Sequence, residues 1–284
     1  MNINEVKQIL TKYDVSVKKQ FGQNFLMDNN IINKICDVSN ISKEVNVIEI
    51  GPGLGFLTQE LKSRANKVMC YEIDPEMVKV ITNRFENDDN VIIKYQDFLK
   101  ANIDSDIKKY LSDKPVIVVA NLPYYITTAI LIKILEESKY IKQMTVMMQL
   151  EVADRICGKP STKDYNSLSV LMQYYTTCKL AIKVGKACFY PEPNVDSAVV
   201  LIKHKEEIIN ATVNEEYFKK FNRVVFAQRR KTLVNNLKSG FGYKKELIEE
   251  ILTKNNISLT IRTEALSVEQ IVHLSNEFYL AQNK

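Results

Sequence analysis

Histidine is nearly absent. The chain of 284 residues has only His204 and His273. That scarcity argues against an imidazole proton relay and against a His-rich metal site. Cysteine is present five times, as Cys36, Cys70, Cys157, Cys178 and Cys188, but no pair has C-x-x-C spacing. A thiolate zinc site is therefore not expected, and no metal is assigned. The opening residues, MNINEVKQILTKYD, contain no apolar leader core. An odd cysteine count without such a leader fits free thiols in a reducing cytoplasm. Nor does any stretch reach the ~18 apolar residues that a membrane-crossing helix requires. With 8 glycines and 7 prolines the chain is not fibrous or of low complexity.

What is there is the composition of a chain able to bury a core, with 45% hydrophobic and 26% charged residues. The net charge is +5. Its distribution says more than its size. Between Lys219 and Lys238 lie Lys219, Lys220, Arg223, Arg229, Arg230, Lys231 and Lys238, and no acid. Such a run is either a solvated helix face or a surface for phosphates.

From residue 45 onward, short apolar runs alternate with helical spacing. Runs at 47–50, 68–71, 91–95, 115–120 and 144–150 read as strands, and 56–65, 76–85 and 126–137 read as helices. Strands that are apolar throughout are buried on both faces. The alternation predicts an α/β fold with a doubly wound, mostly parallel sheet. A helix at 167–175 and two late strands at 179–184 and 198–204 follow. Beyond Lys205 only helical periodicity remains, at 214–228, 230–238, 244–254 and 267–281. The expectation is one α/β domain over 1–205 and a small all-helical domain over 206–284.

The first strand stops at Gly51-Pro52-Gly53-Leu54-Gly55. Glycines there let a ligand approach the backbone, and the following helix offers free N–H groups. The sixth position is Phe56, so the loop is not the dinucleotide G-x-G-x-x-G. Glu72 closes the second strand, placed to accept the hydroxyls of a ribose. Asp97 closes the third, placed to accept from an adenine amino group. Three such features at successive strand ends meet at one crevice. Their order is the S-adenosylmethionine pattern, with S-adenosylhomocysteine as the product.

Asn121-Leu122-Pro123-Tyr124 follows the fourth strand. The N6 amine of adenine is a poor nucleophile, because its lone pair is delocalised into the ring. Two acceptors, the Asn121 side-chain oxygen and a backbone carbonyl of Leu122 or Pro123, can grip its N–H groups. The lone pair is then aimed at the methyl, and positioning carries the rate. Tyr124 can stack on a flipped base. This logic alone would also admit a DNA adenine methyltransferase.

Across nearly its whole length the chain resembles the bacterial small-subunit (16S) ribosomal RNA adenine dimethyltransferases, the kasugamycin-resistance methylases. The resemblance rests on Gly22-Gln23-Asn24-Phe25-Leu26, Glu49-Ile-Gly-Pro-Gly-Leu-Gly55, Asn121-Leu-Pro-Tyr-Tyr-Ile126, Phe189-Tyr-Pro-Glu-Pro-Asn-Val-Asp-Ser-Ala198, Gln228-Arg-Arg-Lys-Thr-Leu233 and Leu266-Ser-Val-Glu-Gln270. It implies a Rossmann-like domain with a seven-stranded sheet. It implies a cofactor pocket of Asn24, Leu26, Gly51, Gly53, Glu72, Asp97 and Asn121, and Phe189 as the aromatic opposite Tyr124. It implies two adjacent adenines near the 3′ end of small-subunit rRNA, each methylated twice, in the immature small ribosomal particle. Arg223, Arg229, Arg230 and Lys231 become the RNA-binding candidates on a monomer. Ala129 departs from the proline common in relatives, at a helix start that does not require it. Two other readings stand beside this one: a large-subunit (23S) methylase conferring macrolide resistance, and a factor acting mainly by binding assembling small subunits.

Overall fold

Strand order follows from which apolar runs can pair. The computed structural model describes residues 3–18, 21–111, 113–208 and 211–282. Its elements in chain order are α1 (Ile3–Tyr13), β1 (Phe25–Leu26), α2 (Asn29–Val38), β2 (Asn46–Ile50), α3 (Phe56–Arg64), β3 (Val68–Glu72), α4 (Pro75–Arg84), β4 (Val91–Tyr95), α5 (Ile103–Tyr110), β5 (Val116–Asn121), α6 (Thr127–Glu137) and β6 (Ile141–Gln149). There follow α7 (Leu150–Ile156), α8 (Ser167–Tyr175), β7 (Thr176–Val184), β8 (Phe189–Tyr190), β9 (Ser197–His204), α9 (Glu215–Val225), α10 (Leu233–Phe241), α11 (Lys245–Lys254) and α12 (Val268–Gln282).

Seven strands form one sheet in the order β4-β3-β2-β5-β6-β9-β7, and β1 pairs separately with β8. The pairs β2–β3, β3–β4, β2–β5 and β5–β6 are parallel, whereas β9 runs antiparallel to β6. The mostly parallel, Rossmann-like sheet is as expected. β2, β3 and the first five residues of β5 are buried throughout, which is why they read as unbroken apolar runs. The chain builds outward from β2 through β3 to β4, then returns to lay β5 on the other side of β2. That reversal opens a crevice at the C-terminal ends of β2 and β5.

The chain forms two compact units. One comprises Met1–Ala153 and Lys179–His204, the other Asp154–Cys178 and Lys205–Lys284. The second differs from the expected single cut after residue 205. Tyr165, Val170 and Tyr174 are buried in the same core as Phe218, Phe221, Leu237, Ile271 and Phe278. The Tyr174 and Phe218 rings lie 4.8 Å apart, and the Tyr174 hydroxyl accepts from the Thr212 N–H at 2.9 Å. Residues 154–178 thus supply apolar surface that the later helices need.

The run around Arg230 is also not a helix. α9 ends at Val225, residues 226–232 form a turn, and α10 begins only where the Thr232 side chain caps the Asn235 N–H. Arg229, Arg230 and Lys231 sit in that turn. α1, α2 and α5 were not expected. α2 starts on an Asp28 cap that accepts from Asn30 and Ile31, a start signal hidden among asparagines of poor helix propensity.

Candidate active site

The glycine loop after β2 is left-handed at three points, with φ of 68° at Gly51, 56° at Gly53 and 76° at Gly55. At Gly53 a Cβ would stand 2.9 Å from the Phe25 ring, and at Gly55 one would stand 2.6 Å from the Phe85 ring. Both positions exclude a side chain on space as well as on backbone angle. The loop forms one wall of a cavity of about 230 Å³. Segments 21–26, 49–57, 71–73, 96–99 and 121–126 contribute to its lining.

Glu72 is 6% exposed. Its Oε1 accepts from the Ile73 and Asp74 N–H groups at 2.8 and 2.9 Å, and Oε2 accepts from the Gly53 N–H at 3.1 Å. Burial raises its pKa, and the amide donors oppose that rise. Three of about four carboxylate acceptor sites are thus filled. One remains open on Oε2, room for one further hydroxyl in this arrangement rather than two. Asp97 caps the single-turn helix Phe98–Lys100 by accepting from the Leu99 N–H at 2.9 Å through Oδ1. Its Oδ2 has no protein donor among the described residues.

At the end of β5, the Asn121 Nδ2 donates to the Asn24 carbonyl at 3.0 Å. A carbonyl can only accept, so this bond settles which way the amide points and leaves Oδ1 as an open acceptor. The two candidate backbone carbonyls differ in what they already accept. The Pro123 carbonyl already accepts from the Ile126 N–H at 3.3 Å and the Thr127 hydroxyl at 3.0 Å. The Leu122 carbonyl has no such donor among the described residues, so it is the one available. Tyr124 shares a 2.7 Å hydrogen bond with the Ser197 hydroxyl at the start of β9, and burial raises its pKa. The tether fixes the phenol oxygen of Tyr124, whose ring lines the cavity.

The cavity therefore collects Asn24, Leu26, Gly51, Gly53, Glu72, Asp97, Asn121, Leu122, Pro123 and Tyr124. Phe189 is not among them. It is 2% exposed, pairs with Leu26 through the β1–β8 ladder, and lies in the core with Leu26, Val199 and Met147. The two-residue ladder packs the Phe189 ring into that core beside Leu26, which itself lines the cavity.

Glu49 carried no role in the sequence reading, yet it lines the cavity and is 2% exposed. Its Oε2 accepts from the Thr58 hydroxyl at 2.6 Å and from the Cys70 thiol at 3.7 Å. Burial, with the nearby Glu72 charge adding to it, pushes its pKa up to about 8 against the opposing Thr58 and Cys70 bonds. The signal was available: it is the one charged residue inside an otherwise buried strand, just before the glycine turn.

In the second unit, the Arg229 Nε donates to Glu264 at 2.8 Å and its Nη2 to the Thr162 carbonyl at 3.2 Å. The Arg223 Nε donates to the Lys219 carbonyl at 3.2 Å. Arg230 and Lys231 are exposed and have no side-chain partner among the described residues. Among the described residues no cluster of histidine, cysteine and carboxylate side chains could hold a metal, and no helix is long and apolar enough to cross a membrane.

Comparison with known proteins accords with this geometry. Residues 15–279 match the family described as ribosomal RNA adenine dimethylase. A ribosomal RNA small subunit methyltransferase A from Bacillus pumilus is 46% identical over 274 residues, covering 95% of this chain and 94% of the relative. The protein of that name from Streptococcus equi subsp. zooepidemicus is 45% identical, again over 95% and 94%. Among solved structures, the 23S rRNA methyltransferase ErmE superposes with a TM-score of 0.69 at 26% identity, covering 89% of this chain and 99% of that one. A dimethyladenosine transferase from Plasmodium falciparum gives 0.74 at 23% identity, over 91% and 98%, and speaks to the fold alone. With a match spanning nearly every residue and relatives this similar, the chain belongs to the ribosomal RNA adenine dimethylase family and is a methyltransferase.

Proposed function

We propose that the chain transfers methyl groups from S-adenosylmethionine to N6 of two adjacent adenines near the 3′ end of small-subunit rRNA, giving dimethyladenosines. The observation that carries this reading is the pair of open acceptors, the Asn121 Oδ1 and the Leu122 carbonyl, beside one cavity. The cavity's residues suit the donor: a loop of left-handed glycines, an open acceptor on Glu72, another on Asp97, and a buried carboxyl at Glu49. Bound there, S-adenosylmethionine supplies a methyl already activated on a sulfonium.

The residues then act in defined ways. Glu72 accepts from a ribose hydroxyl and Asp97 from an adenine amino group. In the first transfer Asn121 and Leu122 accept the two N6 hydrogens of the target base and hold its nitrogen pyramidal, in the second one of them accepts the hydrogen that is left, and each transfer releases one N6 proton to water. The charge that develops on that nitrogen faces two preorganised dipoles. Tyr124 stacks on the flipped base. Arg223, Arg230 and Lys231 meet phosphates, and Arg229 does so only by giving up Glu264. The setting is the cytoplasm, the substrate is the rRNA of an immature small particle, and the protein acts as a monomer.

The 26% identical ErmE structure keeps a large-subunit target in view. The names of relatives at 45–46% identity favour the small subunit. Labelled methyl should enter unmodified small subunits and not large ones, with dimethyladenosine as the product by mass spectrometry. Incorporation into large subunits alone would overturn the proposal. Asn121→Ala should cut transfer by about 10²-fold or more while leaving particle binding intact. Normal transfer by that variant would overturn the role given to Asn121.

A further inference from the structure

Asn121 takes its orientation from one backbone carbonyl, that of Asn24, and Asn24 belongs to no long element. What fixes Asn24 is found one residue earlier, at Gln23, and in the residue that Gln23 bonds. Asp74 is fully buried and opens α4. Its Oδ1 accepts from the Lys18 ammonium at 2.8 Å and the Glu76 N–H at 3.0 Å, and its Oδ2 accepts from the Gln23 Nε2 at 2.7 Å. The Gln23 Oε1 in turn accepts from the Lys18 N–H at 2.8 Å. Lys18 also pairs with Glu76 at 3.0 Å, and its pKa is raised, first of all by the Asp74 bond. The Asn24 side chain donates back to the Gly22 carbonyl at 3.1 Å, which ties residues 22 and 24 together.

Two hydrogen bonds joined by the covalent Gln23–Asn24 backbone therefore link Asp74 to the Asn121 amide. The Asp74 N–H meanwhile donates to Glu72. One residue holds both the proposed ribose acceptor and the segment that aims the proposed N6 acceptor. We propose that Asp74 is a positioning residue for methyl transfer: through Gln23 it sets the Asn24 carbonyl, and so keeps the Asn121 Oδ1 pointed at the target nitrogen. Misplacement by ~1 Å at such a group costs about 10²-fold in rate. The inference rests on the proposed N6 methylation for its kinetic consequence, but its structural half does not.

Asp74→Asn keeps the volume and replaces one acceptor by a donor, which sets it against Gln23 or Lys18. In the full chain, the side-chain NH2 pair of Asn121, assigned by its loss in Asn121→Ala, should shift or broaden in the NMR spectrum of Asp74→Asn. With saturating donor and unmodified small subunits, kcat should fall tenfold or more. Gln23→Leu, which spares the Asp74–Lys18 pair, should do both and carries the test if Asp74→Asn does not fold. An unmoved Asn121 NH2 pair overturns the proposal. So does a rise in KM for the donor with unchanged kcat, which would make residues 21–26 a wall of the cavity and nothing more. If the unaltered protein transfers no methyl to small subunits, the proposed function fails while the NMR result still decides the positioning path.

Discussion

Glu49 shows what a single buried side chain does to binding. Its pKa near 8 means that the folded protein keeps a proton which the unfolded chain, with an ordinary glutamate near 4.5, gives up. Between those two values stability falls as pH rises, and above about 8 it levels off. Glu49→Gln should flatten that slope, read from urea midpoints at successive pH. A cationic donor in the same cavity favours the charged carboxylate, so S-adenosylmethionine binding near pH 7 should release protons. Calorimetry in buffers of different ionisation enthalpy would show it, and an enthalpy independent of buffer would refute it. Phe189 makes the opposite case. As a core ring, Phe189→Ala should cost about 3–5 kcal/mol of stability, measured by denaturant unfolding. A variant of normal stability with impaired turnover would put the ring back at the base. At this scale, motif residues were legible because chemistry dictates their types: the Asn121 amide, the Glu72 carboxylate and the loop glycines each have few substitutes. The direction of a ring such as Phe189 was not, because it depends on Leu26, more than 150 residues away in the chain.

Elements were legible where period and caps agree. β2, β3 and β5 fell within a residue or two of their expected bounds, since short apolar runs stopped by turn residues such as Gly51-Pro52-Gly53 leave no room for a helix. The turn 226–232 was missed because arginine and lysine are good helix formers and hide an interruption. Gly240, inside α10, is an element-scale feature that propensity misjudges. Alanine there would gain about 1 kcal/mol of helix propensity, yet its Cβ would fall 2.2 Å from Val224 Cγ1 on α9. Overpacking of this kind costs about 1–3 kcal/mol. Gly240→Ala should therefore be destabilising, and Val224→Ala in the same chain should recover part of the loss. Additive destabilisation in the double variant would show that the two helices do not meet there.

For the whole molecule, charge is the property to test, because the net +5 is concentrated in one stretch of chain. Removing a cation that neutralises one phosphate should flatten the dependence of log affinity on log salt by about 0.7–0.9. Arg230→Ala with Lys231→Ala should flatten it by nearly twice that, in filter binding to small subunits at several salt concentrations. Arg229→Ala should change it less, since Glu264 already answers that charge. An identical slope in all variants would make the run a solvated surface. The helical second unit was visible as a loss of strand signals after residue 205, but the packing of Tyr165, Val170 and Tyr174 into its core was not. Assigning Tyr165, Val170 and Tyr174 to the second core requires knowing what Phe218 and Phe221 pack against.

That partition has a consequence for how the gene can be cut. The backbone passes from one unit to the other three times, after Ala153, after Cys178 and after His204. A stop codon placed after β9 would not release an intact first unit alone. It would leave Tyr165, Val170 and Tyr174 attached and stripped of their cover, while the helices made downstream would lack part of their own interior. No single crossover can exchange either unit between two relatives. Chimaeras should work only when residues 154–178 travel together with 205–284, so the two units are inherited as one interlaced message rather than as a body and an appendix.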